Sequence, residues 1–175
     1  MKDDKPVVVN LGCGNRKLPG QIGLDRYPAA MADLLAELSE GLPLASGSVD
    51  EIVAEHVMEH VPDLVRLMEE IHRVLAPGGL LRVEVPYFAH PDAFRDPTHV
   101  RFFTWGSLDY FIDGMKPADY TGVKFIYRRR KLGFGNGLRA VAGRLISGLS
   151  VRRYEKYWAR IFPARVLCAE LVRQV

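Results

Sequence analysis

Apolar residues arrive in short blocks along the first half of this chain, and their spacing alternates between two periods. Val7-Val8-Val9-Asn10-Leu11 is a β-branched run that stops at Gly12-Cys13-Gly14, as a buried parallel strand does. Ile22-Gly23-Leu24-Asp25 is a second block, closed by Pro28. Val49 to Glu55 is a third, after the turn-forming Ala45-Ser46-Gly47-Ser48. From about Pro62 to Ala76 the period becomes helical: Leu64, Leu67, Met68, Ile71, Val74 and Leu75 recur, with Glu69, Glu70 and Arg73 between them. Pro62 suits the first turn of that helix, and Pro77-Gly78-Gly79 ends it. Leu80 to Pro86 is extended again. Strand, helix, strand in this order predicts a parallel sheet with right-handed crossovers. Farther on, Val123 to Lys131 and Arg165 to Val175 read as strands, and between them Leu138, Val141, Ala142, Leu145, Ile146 and Leu149 trace an amphipathic helix. No repeat or low-complexity linker interrupts the pattern, so one domain is expected over residues 1–175.

Composition agrees with one soluble unit. At 175 residues and 26% charged, the chain can bury a real core and is neither fibrous nor disordered. Cys13 and Cys168 are too few for a disulfide framework or a four-thiolate zinc site. Met1 to Pro6 lacks a signal peptide's apolar stretch, and no run has the ~18–20 apolar residues of a spanning helix, so a cytoplasmic location is expected. Charge changes the picture more. Residues 1–115 carry 10 basic and 18 acidic side chains, whereas residues 116–175 carry 14 and 3. The basic half points to an anionic partner: nucleic acid, a phosphorylated sugar or a membrane surface.

The sharpest local signal is Asn10-Leu11-Gly12-Cys13-Gly14-Asn15 directly after the first strand, where glycines let a backbone turn sharply and approach a ligand. A dinucleotide fingerprint needs a third glycine where Lys17 stands, and its acidic residue falls farther on than Asp25, so a nicotinamide or flavin site is disfavoured. The ordered set of Val7 to Asn15, Gly23-Leu24-Asp25, Ala32-Asp33-Leu34, Leu42-Pro43-Leu44, Ser48 to Ala54, Val57-Met58-Glu59-His60-Val61 and Leu75 to Leu80 resembles the class I S-adenosylmethionine-dependent methyltransferases. Asp96 to Thr104 and Tyr154 to Pro163 look like a small bacterial single-domain subgroup of that family. The resemblance implies an α/β, Rossmann-like fold: a seven-stranded, mostly parallel sheet with an antiparallel C-terminal hairpin. Residues 6–90 would be the cofactor-binding half, and 91–175 the acceptor side with a helical insertion at about 132–164. One departure stands out. The family's helix after the glycine loop has only Asn15 to Gln21 available, with Pro19 and Gly20 inside, and must be cut to a loop.

For S-adenosylmethionine, the resemblance implies contacts from Asn10, Gly12, Cys13 and Gly14. Asp25 would take both ribose hydroxyls, Asp33 and Leu34 the adenine, and Glu55 and His56 the methionine end. Glu59 and His60 are expected to help start the following helix. The acceptor side would use Tyr87 and Arg101, the latter as a bidentate anion ligand. His99 is the candidate base, oriented by Asp96, with His90 as the alternative. His90, Asp92, Asp96 and His99 have a metal-ligating composition but match no standard spacing, and Asp96 to His99 also reads as a rigid capping turn. The expected reaction is methyl transfer to an oxygen or nitrogen of a small-molecule or glycan-type acceptor. The alternatives are a non-catalytic cofactor-binding module, or a nucleic-acid methyltransferase tracking phosphate with its basic half. No zinc-finger or aromatic ribonucleoprotein motif supports sequence-specific nucleic-acid binding. Arg128 to Lys131, Arg139, Arg144, Arg152 and Arg153 flank the 138–149 helix, which would be a lid, a dimer contact or a membrane-surface helix.

Overall fold

A computed structural model describes residues 5–28, 31–115 and 121–174. Seven strands form one sheet: β1 (Val8–Leu11), β2 (Gln21–Asp25), β3 (Leu34–Leu35), β4 (Val49–Glu55), β5 (Leu75–Pro86), β6 (Phe125–Gly133) and β7 (Val166–Arg173). Their order is β3-β2-β1-β4-β5-β7-β6. The first five run parallel, and β7 lies antiparallel to both β5 and β6. This is the expected sheet, hairpin included. Because the chain goes from β1 first to one side and then back past it to the other, the order reverses between β1 and β4. Such a switch opens a crevice outside the carboxyl ends of those strands.

Helix α1 (Leu64–Val74) buries Leu64, Leu67, Met68, Ile71 and Val74 at helical spacing. Asp63 caps it by accepting the Arg66 N–H at 3.0 Å, which places Pro62 before the cap rather than in the first turn. The helix stops at Val74, and Pro77-Gly78-Gly79 form an excursion within β5, where the pairing with β4 jumps from Val49–Leu75 to Glu51–Leu80. Arg73 in the last turn grips Glu70 and donates to the carbonyls of Leu42 and Leu44, so α1 fastens the loop leading into β4.

The β6–β7 connection carries α2 of the insertion, Leu138–Leu149, followed by a short turn at Val151–Arg153 and a π-helical turn at Tyr154–Trp158. Tyr154 anchors it. Its fully buried hydroxyl donates to the Phe162 carbonyl and accepts the Ala164 N–H. Helix α2 packs through Ala140 and Gly143, whereas Leu138, Val141, Leu145 and Leu149 face outward. Gly143 sits so close to Phe134 that a Cβ there would lie 2.5 Å from the ring, which explains why the small-residue face packs inward. The arginines near the helix divide in role. Arg144 donates to the Gly135 carbonyl, and Arg130 is stacked on Trp105 and Tyr127 while paired with Asp109, so neither is simply a free surface charge.

Candidate functional site

The carboxyl ends of β1, β2 and β4 carry a cleft made of two adjoining cavities. One, of about 390 Å³, is walled by Gly12, Asp25, Tyr27, Glu37, Leu38 and Val57. The other, of about 770 Å³, is walled by Cys13, Gly14, Glu55, Glu59, His99 and Arg165. Gly12, His56, His60 and Asp96 belong to both. Each volume lies within the ~300–1,000 Å³ range of small-molecule sites.

The glycine loop leaves β1 in left-handed backbone at Gly12 (φ 61°) and Gly14 (φ 47°). A Cβ on Gly12 would lie 2.6 Å from Val57 Cγ2, so glycine is needed for packing. A Cβ on Gly14 would meet nothing within 4 Å, so there the missing side chain leaves room. No helix follows. Side chains hold the loop instead. Gln21 accepts from Asn10 at 3.1 Å and from the Leu18 N–H at 2.9 Å. Asp33 accepts from Lys17 at 2.6 Å and from the Gly23 N–H at 2.7 Å, which holds its carboxyl below the usual range. Asn10 therefore braces the loop from within the sheet and does not wall the cleft.

Asp25 ends β2 facing the cleft. One oxygen accepts the Gly14 N–H at 2.8 Å and the other the Tyr27 N–H at 3.0 Å. A carboxylate oxygen accepts two hydrogen bonds, so each retains one acceptor direction. Glu55 and His56 end β4 and also wall the cleft. His56 is the only non-glycine among the described residues with positive φ, at 54°. The carboxylates of Glu59 and Glu84, at 3.5 and 3.4 Å, hold its imidazole above the ordinary value despite burial. Cys13 walls the cleft too, but burial and the Asp25 carboxylate push its thiol up, which suits packing rather than nucleophilic attack.

Several expected residues stand elsewhere. Asp33 precedes β3, whose register pairs Leu24 with Leu34 and Asp25 with Leu35, so neither Asp33 nor Leu34 reaches the crevice end. Glu37 and Leu38, just past that end, wall the cavity in their place. Tyr87 is fully buried and donates to Glu155 at 2.9 Å, with its pKa driven up by burial, so it is a core residue and not an acceptor ligand. Arg101 spends its guanidinium on the carbonyls of Val61 and Pro62. His90 accepts the Asp92 N–H at 3.2 Å, at the start of the turn Asp92–Arg95 and outside the cleft walls. Asp96 does not orient His99. Its carboxylate takes the N–H and hydroxyl of Thr98, and His99 Nδ1 bonds the Ala93 carbonyl at 2.9 Å. Glu59 and His60 are not the start of α1, which Asp63 caps; both wall the cleft.

The model of the methyltransferase domain matches residues 10–83. An uncharacterized methyltransferase of Mycobacterium sp. (strain KMS) is 31% identical over 129 residues, covering 67% of this chain and 46% of that relative. A trans-aconitate 2-methyltransferase of Azoarcus sp. (strain BH72) is 32% identical over 106 residues, covering 48% of this chain and 40% of its own. The chain thus spans less than half the length of these curated relatives. A solved S-adenosylmethionine dependent methyltransferase from Mesorhizobium loti matches with a TM-score of 0.62 at 14% identity, covering 96% of this chain and 91% of that one. At that identity the likeness is one of fold.

Proposed function

Since the chain belongs to the class I S-adenosylmethionine-dependent methyltransferase family, we propose that it transfers a methyl group from S-adenosylmethionine to an oxygen or nitrogen of a small-molecule or glycan-type acceptor. The cleft fits that cofactor on its own chemistry. Asp25 has one free acceptor direction on each oxygen, suited to a vicinal diol such as a ribose. Glu37, beside Leu38 in the same cavity, supplies an acceptor for an exocyclic amine. The open space above Gly14 lets a ligand lie against the backbone. S-adenosylmethionine supplies a methyl already activated on a sulfonium, so the protein's task is alignment and exclusion of water.

The larger cavity is the acceptor's place in this reading. Arg16, Arg95 and Arg165 stand on its walls, and Arg165 is tied to Asp92 at 3.2 Å. Such a rim favours an acceptor with carboxylate or phosphate groups. Of the three candidate bases and orienters, His99 alone keeps an imidazole on the cleft wall, because Asp96 serves Thr98 and His90 serves a turn.

The observation that carries the proposal is Asp25, bonded to the glycine loop and open to the cavity. Calorimetric titration with S-adenosylmethionine, S-adenosylhomocysteine and NADH tests it. The first two should bind saturably and NADH should not. Asp25→Ala and Asp25→Asn should weaken binding about 100-fold or more, since two charge-assisted hydrogen bonds are worth ~1.5–3 kcal/mol each. A folded protein that binds neither sulfur ligand, or binds them equally well without Asp25, overturns the reading.

A further inference from the structure

The floor of the cleft holds a buried carboxylate with no hydrogen-bond partner. Glu59 is 1% exposed, and neither of its oxygens makes a hydrogen bond, although the His56 imidazole that it polarises stands beside it. His56 Nδ1 stands 3.5 Å from it and His99 Nε2 4.0 Å. A carboxylate taken out of water without partners costs several kcal/mol, so it marks a place where something positive belongs.

The imidazoles around it are set in one tautomer by groups behind them. His99 Nδ1 lies 2.9 Å from the Ala93 carbonyl, which can only accept, so Nδ1 carries the proton and Nε2 offers its lone pair. His60 Nδ1 lies 2.8 Å from Thr98 Oγ1. That hydroxyl gives its own proton to Asp96 at 2.7 Å, so it accepts from His60, whose Nε2 is likewise left as a lone pair. An Nδ1–H held by an oxygen acceptor while Nε2 faces a shared point is how metal-binding histidines are oriented. One ligand atom from each of Glu59, His60 and His99 lies within 4.8 Å of the others. Around an ion with bonds of ~2.0–2.2 Å, neighbouring ligand atoms sit roughly 3 Å apart, so binding draws the three together by about 1 Å or more.

We propose that Glu59, His60 and His99 bind a divalent first-row transition-metal ion. Two imidazoles with one carboxylate favour such an ion over magnesium or calcium, which prefer all-oxygen sites. Three protein ligands leave coordination positions open, and the site lies in the wall of the larger cavity. There the ion can take an acceptor hydroxyl oxygen and lower its pKa, so that its proton passes to solvent and the oxygen bonds the methyl carbon as the methyl–sulfonium bond breaks and S-adenosylhomocysteine leaves. That last role rests on the methyl-transfer reading; the ion's binding does not.

The test is titration of chelator-treated protein with Co²⁺, Mn²⁺, Zn²⁺ and Mg²⁺, read by calorimetry and, for Co²⁺, by visible absorption. The expected result is one saturable site for the transition ions with Co²⁺ d–d bands, and weaker binding of Mg²⁺. His60→Gln, His99→Gln and Glu59→Gln should each weaken Co²⁺ binding at least 10-fold. Thr98→Ala, which frees the His60 ring behind the site, should weaken it about 10-fold. His90→Gln should change nothing. Thermal unfolding with and without Co²⁺ checks each variant's fold and should show an ion-dependent rise only where the site is intact. No saturable binding to the folded wild-type chain, or binding indifferent to all four substitutions, overturns the proposal. S-adenosylmethionine titration of the metal-free protein separates the two readings. Cofactor binding without metal binding sinks only the metal site, and the reverse sinks only the methyl-transfer reading.

Discussion

Gly12→Ala puts a single methyl group where the fold leaves none. Gly12 has φ 61°, so any L side chain there pays the left-handed cost of ~1–2 kcal/mol. The added Cβ would also lie 2.6 Å from Val57 Cγ2 and 2.9 Å from Val57 Cβ. Val57 is a buried, β-branched residue joining β4 to the next turn, so it cannot swing aside as the end of a long side chain would. Overpacking of this kind costs a further ~1–3 kcal/mol, for a total of about 2–4 kcal/mol. Urea unfolding measures the loss. Val57→Ala, which removes the two methyl groups, should cost ~1–2 kcal/mol alone. The double substitution should remove the contact with Cγ2 but keep the contact with Cβ and the backbone strain, recovering part of the overpacking as a coupling of ~1–2 kcal/mol. Gly14→Ala is the comparison: it has φ 47° but open space, so only the strain remains, while the methyl should impair cofactor binding. Gly12→Ala within about 0.5 kcal/mol of the parent, or strict additivity with Val57→Ala, would refute the packing described for the loop.

Two further substitutions test the reassigned residues and the electrostatics of α1. Tyr87→Phe should destabilise by ~1–2 kcal/mol, since it removes the donor to Glu155, and should leave the apparent affinity for cofactor unchanged; an unchanged stability in denaturant titration would argue against the buried bond. Glu70→Gln should cost ~1–2 kcal/mol at neutral pH. The bidentate Arg73 guanidinium and the Leu42 N–H hold the Glu70 carboxyl down from 4.5 to about 2. The folded value is depressed, so this stability is present above the unfolded value and fades as pH falls from about 4.5 through about 2. Unfolding at pH 7 and pH 3 should therefore show the parent's advantage over Glu70→Gln shrinking in acid; an equal difference at both pH values contradicts the pairing.

Periodicity carried most of the fold. Blocks such as Val7 to Leu11 and Val49 to Glu55 announce buried strands because parallel strands bury both faces, and Leu64 to Val74 announces α1 because one stripe must face the sheet. The candidate cleft was legible only where backbone geometry makes it. Gly12, Gly14, Asp25, Glu55 and His56 follow from being the ends of β1, β2 and β4. Side-chain partners were hidden by distance in sequence: Arg101 bonds a carbonyl 40 residues away, and Tyr87 a carboxylate 68 residues away. Helix α2 shows the same limit from another side. Its apolar periodicity was correct, yet the Leu138, Val141, Leu145 and Leu149 stripe faces outward because Gly143 fits under Phe134. Glu37 was findable from the acidic residue nearest the end of a third strand, but β3 has only two residues and leaves almost no signal.

Asp33 illustrates how a residue can serve the cleft without touching it. The family's usual helix after the glycine loop would rigidify that loop through its own backbone bonds, and seven residues containing Pro19 and Gly20 leave no room for one. The chain fixes the loop with two side-chain braces instead, one through Gln21 and one through Asp33 and Lys17. A Cβ on Gly23 would strike Cys13 Sγ and the Met31 carbonyl, at 2.7 and 2.8 Å, so the loop, β2 and the approach to β3 are pressed into one unit. The Gly14 N–H that reaches Asp25 is positioned by this unit and not by a helix dipole. The residues that resemble adenine ligands in sequence therefore act on the cleft through the loop's shape, while Asp25 and Glu37 are the carboxylates that line its smaller cavity.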